Sequence, residues 1–437
     1  MSPQEAVQSF LARLTRPTRI LVGVSGGSDS IGLLLCLHEG IAAGEGAGHE
    51  LVAATVDHEL RAEAAGEARL VARLCKELSV AHETLSWSGE KPKSGISAAS
   101  REARYRLLMQ SADSLHADVI VTGHTLDDQI ETIAMRAARS DAEANLGLAG
   151  MAEAVLLDRR CWLLRPFLAT RREAIREFLR ERGRAWIDDP SNADRHYERV
   201  RVRIDLKEAG EASLADLQSA ALRRVRLSED AAEIARRYLK VHHGVLAELS
   251  PEVLNEDRDT LRHLLATLAA VLGGRQYLPA ATTMTRVMAM LDGQRMGRTT
   301  AGRVIFDLRR QGLFMHREAR DLPVVHVGKG KSMLWDGRYR LANETGADVT
   351  IIPTPPDREL ASGLFADVPV AIAQRAMGVM PYVEVKSDKA SVIVEPLLAP
   401  FDCFLPQFEV SLALELGLLL GCKAFPSAPI KVFERKS

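Results

Sequence analysis

The most constraining feature of this chain is a six-residue string, Ser25-Gly26-Gly27-Ser28-Asp29-Ser30, set between two apolar segments of different period. Before it, residues 19–25 read Arg-Ile-Leu-Val-Gly-Val-Ser. That short, β-branched run is what a strand buried on both faces looks like. After it, Ser30 to Ala43 has the character of a helix. A glycine turn between strand and helix lets backbone amides approach an anion closely. The helix start adds unpaired N–H groups and the positive end of a dipole. Serine hydroxyls supply further donors, so pyrophosphate is the natural guest. Asp29 alone would repel that guest, and its carboxylate makes most sense as a ligand for a bridging Mg²⁺. A serine-capped turn accounts for a Gly-Gly pair but not for the whole string. Gly330-Lys331-Ser332 imitates the end of another phosphate loop, the Walker type. That pattern needs glycine where Val325 stands, so Gly328 to Ser332 reads as a basic turn between strands.

The alternation continues through the first half. Strands are expected at Leu51 to Val56, His82 to Trp87, Asp118 to Thr122 and Trp162 to Pro166. Helices are expected at Arg61 to Leu78, Ser97 to Leu115, Leu126 to Arg139 and Arg171 to Arg182. Strands alternating with helices predict an α/β domain: a parallel sheet covered on both faces, with right-handed crossovers. The pattern changes after Asp205. We expect a catalytic domain over 1–207, a polar linker over 208–216, a mainly helical middle domain over 217–319 and a smaller α+β domain over 320–437. In the middle segment, Leu261, Leu264, Leu265, Leu268 and Val271 fall at helical spacing. From about Arg298 short strand patterns take over, among them Val304 to Leu308, Leu313 to His316, Tyr339 to Ala342 and Val349 to Ile352.

At 437 residues the chain is too long for one core. Its 26% charged content and net charge of -1 exclude neither a globular enzyme nor a local basic surface, but they give no global signal for nucleic acid. The five cysteines, Cys36, Cys75, Cys161, Cys403 and Cys422, include no CxxC pair. That argues against a disulfide framework or a zinc ribbon and fits a reducing cytoplasm. Met1 to Thr18 lacks the pattern of a secretory signal. The longest apolar stretch, Leu412 to Cys422, is interrupted by Glu415 and is far short of the ~20 residues a membrane span needs. We expect it to be a buried helix, and no membrane partner.

Three further strings stand out. Gly123 to Thr132 reads Gly-His-Thr-Leu-Asp-Asp-Gln-Ile-Glu-Thr and follows a predicted strand. Asp128 and Glu131, three apart on the ensuing helix, share a face, and His124 lies near them. Capping, with Asp127 as the cap, explains acids in a first turn, but not His124, Asp128 and Glu131 gathered at a strand end. Arg101 and Arg104 share a helix face, which alone is as well explained by solvation. Residues 159–207, holding the run Trp186 to Asn192 and then Arg199, Arg201 and Arg203, carry 14 Lys/Arg against 8 Asp/Glu. Arginine suits phosphate or carboxylate binding.

Taken in order over residues 19–205, these strings resemble the tRNA(Ile)-lysidine synthetase family of the N-type ATP pyrophosphatases. The resemblance includes Val56-Asp57-His58, Arg101 to Tyr105, His124 to Glu131, Leu146 to Met151, Arg165-Pro166 and Trp186 to Asn192. It implies an adenine nucleotide α-hydrolase-like fold for the first domain. The implied reaction ligates lysine to carbon 2 of the wobble cytidine in an isoleucine tRNA with a CAU anticodon. ATP and Mg²⁺ are used, the cytosine is adenylated first, and AMP and pyrophosphate leave. By the same resemblance, Ser25, Gly26, Gly27, Ser28, Asp29 and Ser30 hold ATP, with Asp29 and Asp128 at the metal. Arg104, Asp128 and Glu131 would hold lysine and the adenylated base. His124 would contact the α-phosphate or assist proton transfer, and Arg199 and Arg203 would neutralise phosphate charge. The later domains would dock the tRNA, and a homodimer is compatible with the family.

The chain departs from the family pattern at Glu59, where glycine is usual, at Val200, where asparagine is usual, and over Ser140 to Gly147, which is longer and more acidic. Other adenylating enzymes of the superfamily compete as readings. A tRNA thiolase needs a reactive cysteine or cluster, and none of the five cysteines lies in Ser25 to Ser30, Gly123 to Thr132, Trp186 to Asn192 or Arg199 to Arg203. An amidotransferase partner needs a glutaminase nucleophile, which the chain does not display. A non-catalytic tRNA-binding protein or metabolite-binding module would not need Asp29, His124, Asp128 and Glu131 together.

Overall fold

The computed structural model describes residues 1–44, 48–60, 63–92, 94–138, 146–188, 201–202, 214–293, 296–384 and 391–431. The chain divides into two compact units, one of residues 1–223 with 426–437, the other of residues 224–425.

The first unit opens with helix α1 (Pro3–Arg13), whose start is closed by a reciprocal Ser2/Glu5 capping box. Then come β1 (Arg19–Gly23), α2 (Ser28–Ala42), β2 (Glu50–Asp57), α3 (Ala64–Glu77), β3 (Ala81–Ser86), α4 (Ile96–Ser114), β4 (Val119–Thr122), α5 (Leu126–Ala137), β5 (Ala154–Leu157), β6 (Cys161–Leu164) and α6 (Arg172–Glu181). Within this unit the strands run in the order β5-β6-β4-β1-β2-β3. All neighbours are parallel except the β5–β6 hairpin. Ile20, Leu21 and Val22 of β1 and Val119, Ile120 and Val121 of β4 have no solvent exposure, as central strands covered on both faces require.

Two elements went unanticipated here. Helix α1 lies in a segment for which the sequence pattern predicts no element, and β5 has no predicted counterpart. Strand β5 returns through Asp158 and Arg159, both at positive φ, in the left-handed turn that antiparallel hairpins favour.

Chain order and strand order part company once. After β1, β2 and β3 the chain crosses back to lay β4 on the far side of β1. The C-terminal ends of β1 and β4 thus flank a topological switch point, where open α/β sheets hold their ligands.

In the second unit, β7 (Leu239–His242), β8 (Leu246–Leu249), β9 (Gly297–Ala301), β10 (Val304–Arg309) and β11 (Gly312–Arg317) form an antiparallel sheet in the order β7-β8-β11-β10-β9. Helices Arg258–Leu272 and Ala281–Asp292 belong to the same unit. Strands β12 (Val325–Val327), β13 (Ser332–Trp335), β14 (Tyr339–Asn343), β15 (Val349–Pro353), β16 (Pro381–Glu384) and β17 (Val392–Pro396) form two three-stranded sheets, β12-β15-β16 and β13-β14-β17.

The expectation of a mainly helical segment over 217–319 does not anticipate β7 and β8. Their turn places His243 and Gly244 at φ 49° and 69°, a hairpin signal that the helical periodicity on either side obscured. The expected linker over 208–216 lies mostly outside the described residues, and from Leu214 the chain is already in the helix Leu214–Tyr238. Gly328 to Lys331 is indeed a turn between strands. The apolar stretch near the end forms helix Val410–Leu419. It is buried along Leu412, Ala413 and Leu416, whereas Leu414 and Leu418 are exposed. Its interrupting Glu415 is paired with Arg236 at 2.7 Å. No helix among the described residues is long and apolar enough to cross a membrane.

Candidate functional site

At the end of β1 the chain turns through Ser25, Gly26 and Gly27 into α2. Gly26 has φ +86°, a conformation open to glycine. Its backbone carbonyl accepts the N–H of Ile187 at 2.9 Å. A Cβ on Gly26 would stand 2.9 Å from the Ile187 side chain. The stretch around Trp186 and Ile187 therefore lies directly against the loop. Inside the loop, the Ser30 hydroxyl accepts the Ser25 N–H at 3.1 Å and donates to the Gly27 carbonyl at 3.1 Å. The Ser28 hydroxyl donates to Asp29 at 3.0 Å. Gly27 caps α2 with no side chain of its own, leaving the helix start open for an anion.

The second string meets this loop. Gly123 comes so close that a Cβ there would lie 2.6 Å from the Asp29 carbonyl oxygen. Helix α5 starts with Thr125 as N-cap in a capping box with Asp128, whose carboxylate accepts the Thr125 N–H at 2.7 Å. Asp127 is not the cap of its own helix. It accepts the backbone N–H of Arg172 at 2.8 Å and so caps α6 instead. Strand-end geometry placed a better-oriented threonine at the α5 cap and freed Asp127 for its neighbour. Both ends of α5 anchor the string Leu146 to Met151: Gln129 exchanges two hydrogen bonds with the Met151 backbone, and Arg136 donates to the Gly147 and Gly150 carbonyls.

A residue that the sequence reading passed over stands at the centre. Arg172, in the first turn of α6, donates from Nε to Asp29 at 2.9 Å and from Nη2 to Asp128 at 2.9 Å. Its Nη1 lies 3.8 Å from Glu131. One guanidinium thus joins the loop carboxylate to the pair on α5. Burial works against the charged guanidinium, but Asp128 and Asp29 outweigh it and raise its pKa. Burial raises the Asp29 pKa above the usual carboxylate value, with Arg172 opposing. Arginines are frequent in this stretch, and nothing in the spacing singles out Arg172 among them.

His124 is partly buried beside these acids, and its Nδ1 lies 2.9 Å from the Thr122 hydroxyl. Burial, followed by the charge of Arg165, holds its pKa well below the ordinary histidine value, so the imidazole is neutral at neutral pH. Arg101 and Arg104 of α4 act on it in the same direction, which puts that helix face toward the site rather than toward solvent alone. Arg165 is itself buried, hydrogen-bonded to Tyr105 and to the Ala152 carbonyl, with its Nε unpartnered. At the end of β2, His58 packs edge-on to Trp87 and is depressed to about 4 by burial and by Arg104. Glu59, where the family pattern has glycine, sits at φ +52°, the left-handed conformation that explains the usual glycine.

The structure thus brings together Ser25 to Ser30, His124, Asp128 and Glu131, with Arg104 near His124 and His58. Arg199, Arg203 and Val200, the acidic link over 140–145 and the end of the run from Asp189 lie outside the described residues. Among the described residues, no group of three or more His, Cys, Asp or Glu is arranged to hold a metal ion alone. The donor set suits Mg²⁺ in another way. That ion takes one or two carboxylates and completes its shell with phosphate oxygens and water. Asp29 and Asp128, both joined to Arg172, would be compatible with that chemistry.

A glycine loop opening a helix without a side-chain cap, at the switch point of a parallel sheet, is a phosphate-binding arrangement. A family profile described as a PP-loop domain matches residues 2–209, which makes this a PP-loop protein. The relatives extend over the whole chain. A protein of Rhizobium meliloti (strain 1021) named tRNA(Ile)-lysidine synthase is 42% identical over 98% of this chain and 97% of its own length. A second of that name, from Mesorhizobium japonicum, is 37% identical over 94% of each. The chain belongs to the tRNA(Ile)-lysidine synthase family. Among solved structures, the U34-tRNA thiolase NcsA from Methanococcus maripaludis, with its 4Fe-4S cluster, aligns at 16% identity and a TM-score of 0.41 over 52% of this chain and 78% of that one.

Proposed function

We propose that this protein ligates lysine to carbon 2 of the wobble cytidine of an isoleucine tRNA with a CAU anticodon, using ATP. The observation that carries the reading is the meeting of the Ser25 to Ser30 loop with Asp128 and Glu131 through Arg172, in a chain of this family. Pyrophosphate needs a loop of backbone donors at a helix start, and Ser25 to Ser30 supplies one. Mg²⁺, when bound by Asp29 and Asp128, would neutralise the phosphates and polarise the α-phosphate. The cytosine oxygen on carbon 2 attacks the α-phosphate and pyrophosphate leaves. The lysine ε-amine then attacks carbon 2 and AMP leaves.

Free lysine arrives as an ammonium of pKa about 10.4 and must lose a proton before it attacks. Asp128, Glu131 and Arg104 are assigned to holding lysine and the adenylated base. His124, neutral at neutral pH, is able to accept a proton, or to donate one hydrogen bond to the α-phosphate. Arg199 and Arg203 are assigned to phosphate charge. Docking of tRNA is assigned to the segments after residue 216, and the reading includes a cytoplasmic location and admits a homodimer.

The test is incorporation of labelled lysine into an isoleucine tRNA transcript bearing CAU, with ATP and Mg²⁺, against a methionine tRNA. Label on the isoleucine transcript alone is expected. Pyrophosphate release without label would keep the adenylation and replace lysine by another nucleophile.

A further inference from the structure

Three carboxylates and one guanidinium share the crevice between the loop and α5. Each nitrogen of Arg172 faces a different acid: Nε meets Asp29, Nη2 meets Asp128 and Nη1 meets Glu131, at 2.9, 2.9 and 3.8 Å. The acids stand on two well-fixed elements. Asp128 is locked in the Thr125 capping box, and the Asp29 backbone is held by the close approach of Gly123. Arg172 comes from a third element, in the first turn of α6, on a long side chain that retains some exposure. The cation is therefore the most easily rearranged member of the cluster. The proposed function needs Asp29 and Asp128 for Mg²⁺ and Asp128 and Glu131 for the lysine ammonium. Those are the same carboxylates that Arg172 contacts, through Oδ2 of Asp29, Oδ1 of Asp128 and Oε1 of Glu131.

We infer that Arg172 is a resident stand-in cation: it partly offsets the charge of Asp29, Asp128 and Glu131 and gives up Asp29 and Asp128 when the metal arrives. A metal ion and a guanidinium cannot share the same carboxylate oxygens, because like charges at contact repel strongly in a partly desolvated crevice. Released from the acids, the guanidinium lies beside the loop that would hold pyrophosphate, the class of anion a planar fork of donors binds best. Arg172 is thus a positioning residue. It keeps the acids together and their mutual repulsion in check, and it makes metal binding conditional on a nucleotide that offers the displaced cation a new partner. This inference rests on the metal assignment of the proposed function.

The experiment is Mn²⁺ titration of the full chain without nucleotide, followed by electron paramagnetic resonance of the free ion. The wild type is compared with Arg172→Gln and Arg172→Lys. If Arg172 competes for the oxygens, Arg172→Gln binds Mn²⁺ about tenfold more tightly than the wild type, a coupling of ordinary size between exclusive ligands. Arg172→Lys, whose single ammonium cannot span all three acids, falls between them. If Arg172 only organises a metal site, removing it scatters the acids, and Mn²⁺ binding is unchanged or weaker; that result overturns the inference. Should Arg172→Gln fail to fold, Arg172→Lys decides alone, since affinity at or below the wild-type value overturns it. Lysine incorporation by the wild type is read separately. Its failure beside a gain in Mn²⁺ affinity would sink the proposed reaction and leave the stand-in intact.

Discussion

At the scale of single residues, one cluster joins two kinds of chemistry, and substitutions can separate them. Asp29 belongs to the loop and faces Nε of Arg172, whereas Glu131 stands on α5 and faces its Nη1. Asp29→Ala is expected to abolish pyrophosphate release while the far-ultraviolet spectrum stays that of the folded protein. Glu131→Ala should raise the KM for lysine more than the KM for ATP. Equal effects on both substrates would remove Glu131 from the lysine pocket. His58 offers a pH prediction. Its folded pKa, about 4, lies below the ordinary value near 6.5. The unfolded chain therefore takes the proton first as pH falls. The stability that neutral His58 contributes is complete above about pH 6.5 and is lost as pH drops toward 4. In His58→Asn the melting midpoint should fall less steeply across that window, and an unchanged slope would contradict the assigned burial. Most of the site was legible at this scale, because Ser25 to Ser30, His124, Asp128 and Glu131 announce themselves by type and spacing. Arg172 was not. An arginine beside a helix start has many uses, and its partners are 143, 44 and 41 positions away, beyond any local pattern.

Among the secondary elements, the site depends on the seating of α6 against α2, since α2 carries Asp29 in its first turn and α6 carries Arg172. The two helices meet at Gly32, where an added Cβ would stand 2.3 Å from the Ile175 side chain. Gly32→Ala overfills that contact and is expected to destabilise the protein by about 1–3 kcal/mol. Because the two residues touch, Ile175→Ala in the same chain should recover part of the loss in a chemical-denaturation series, although alone it is destabilising. Additive losses would mean that the crossing is set elsewhere. Element type was readable wherever period and length agreed, as in β1, α2, β2 and β4. It failed where a strand was only four residues long, as in β5, or where a left-handed hairpin such as His243-Gly244 sat between helical patterns. Four residues are too few to establish a period of two, and what holds β5 in the sheet is its pairing with β6.

For the whole molecule, a net charge of -1 has to coexist with binding to a polyanion. The proposed docking of tRNA by the segments after residue 216 is compatible with that total, because backbone contacts depend on local arginines and lysines rather than on net charge. Affinity for the tRNA transcript, measured by filter binding, should fall about tenfold or more between about 50 and about 200 mM salt. A flat response would rule out phosphate contacts as its source. The second unit uses charge differently. Buried Asp336 is ringed by Arg303, Arg317 and Arg338, and buried Asp307 by Arg298, Arg309 and Arg375. These groups tie strands, turns and helices of that unit together, and sequence spacing offered no hint of them. What the sequence alone determined was local and periodic. It carried the alternation that makes a parallel sheet, the loop that receives phosphate, and the acids that mark a cation pocket, because backbone period and residue chemistry act between near neighbours. Only the tertiary structure decided that β4 crosses to the far side of β1, that Asp127 caps α6 rather than α5, and that a single arginine holds the three acids. Each of those depends on charges and backbone groups far apart in the chain finding one another, and that happens only once packing has removed them from water.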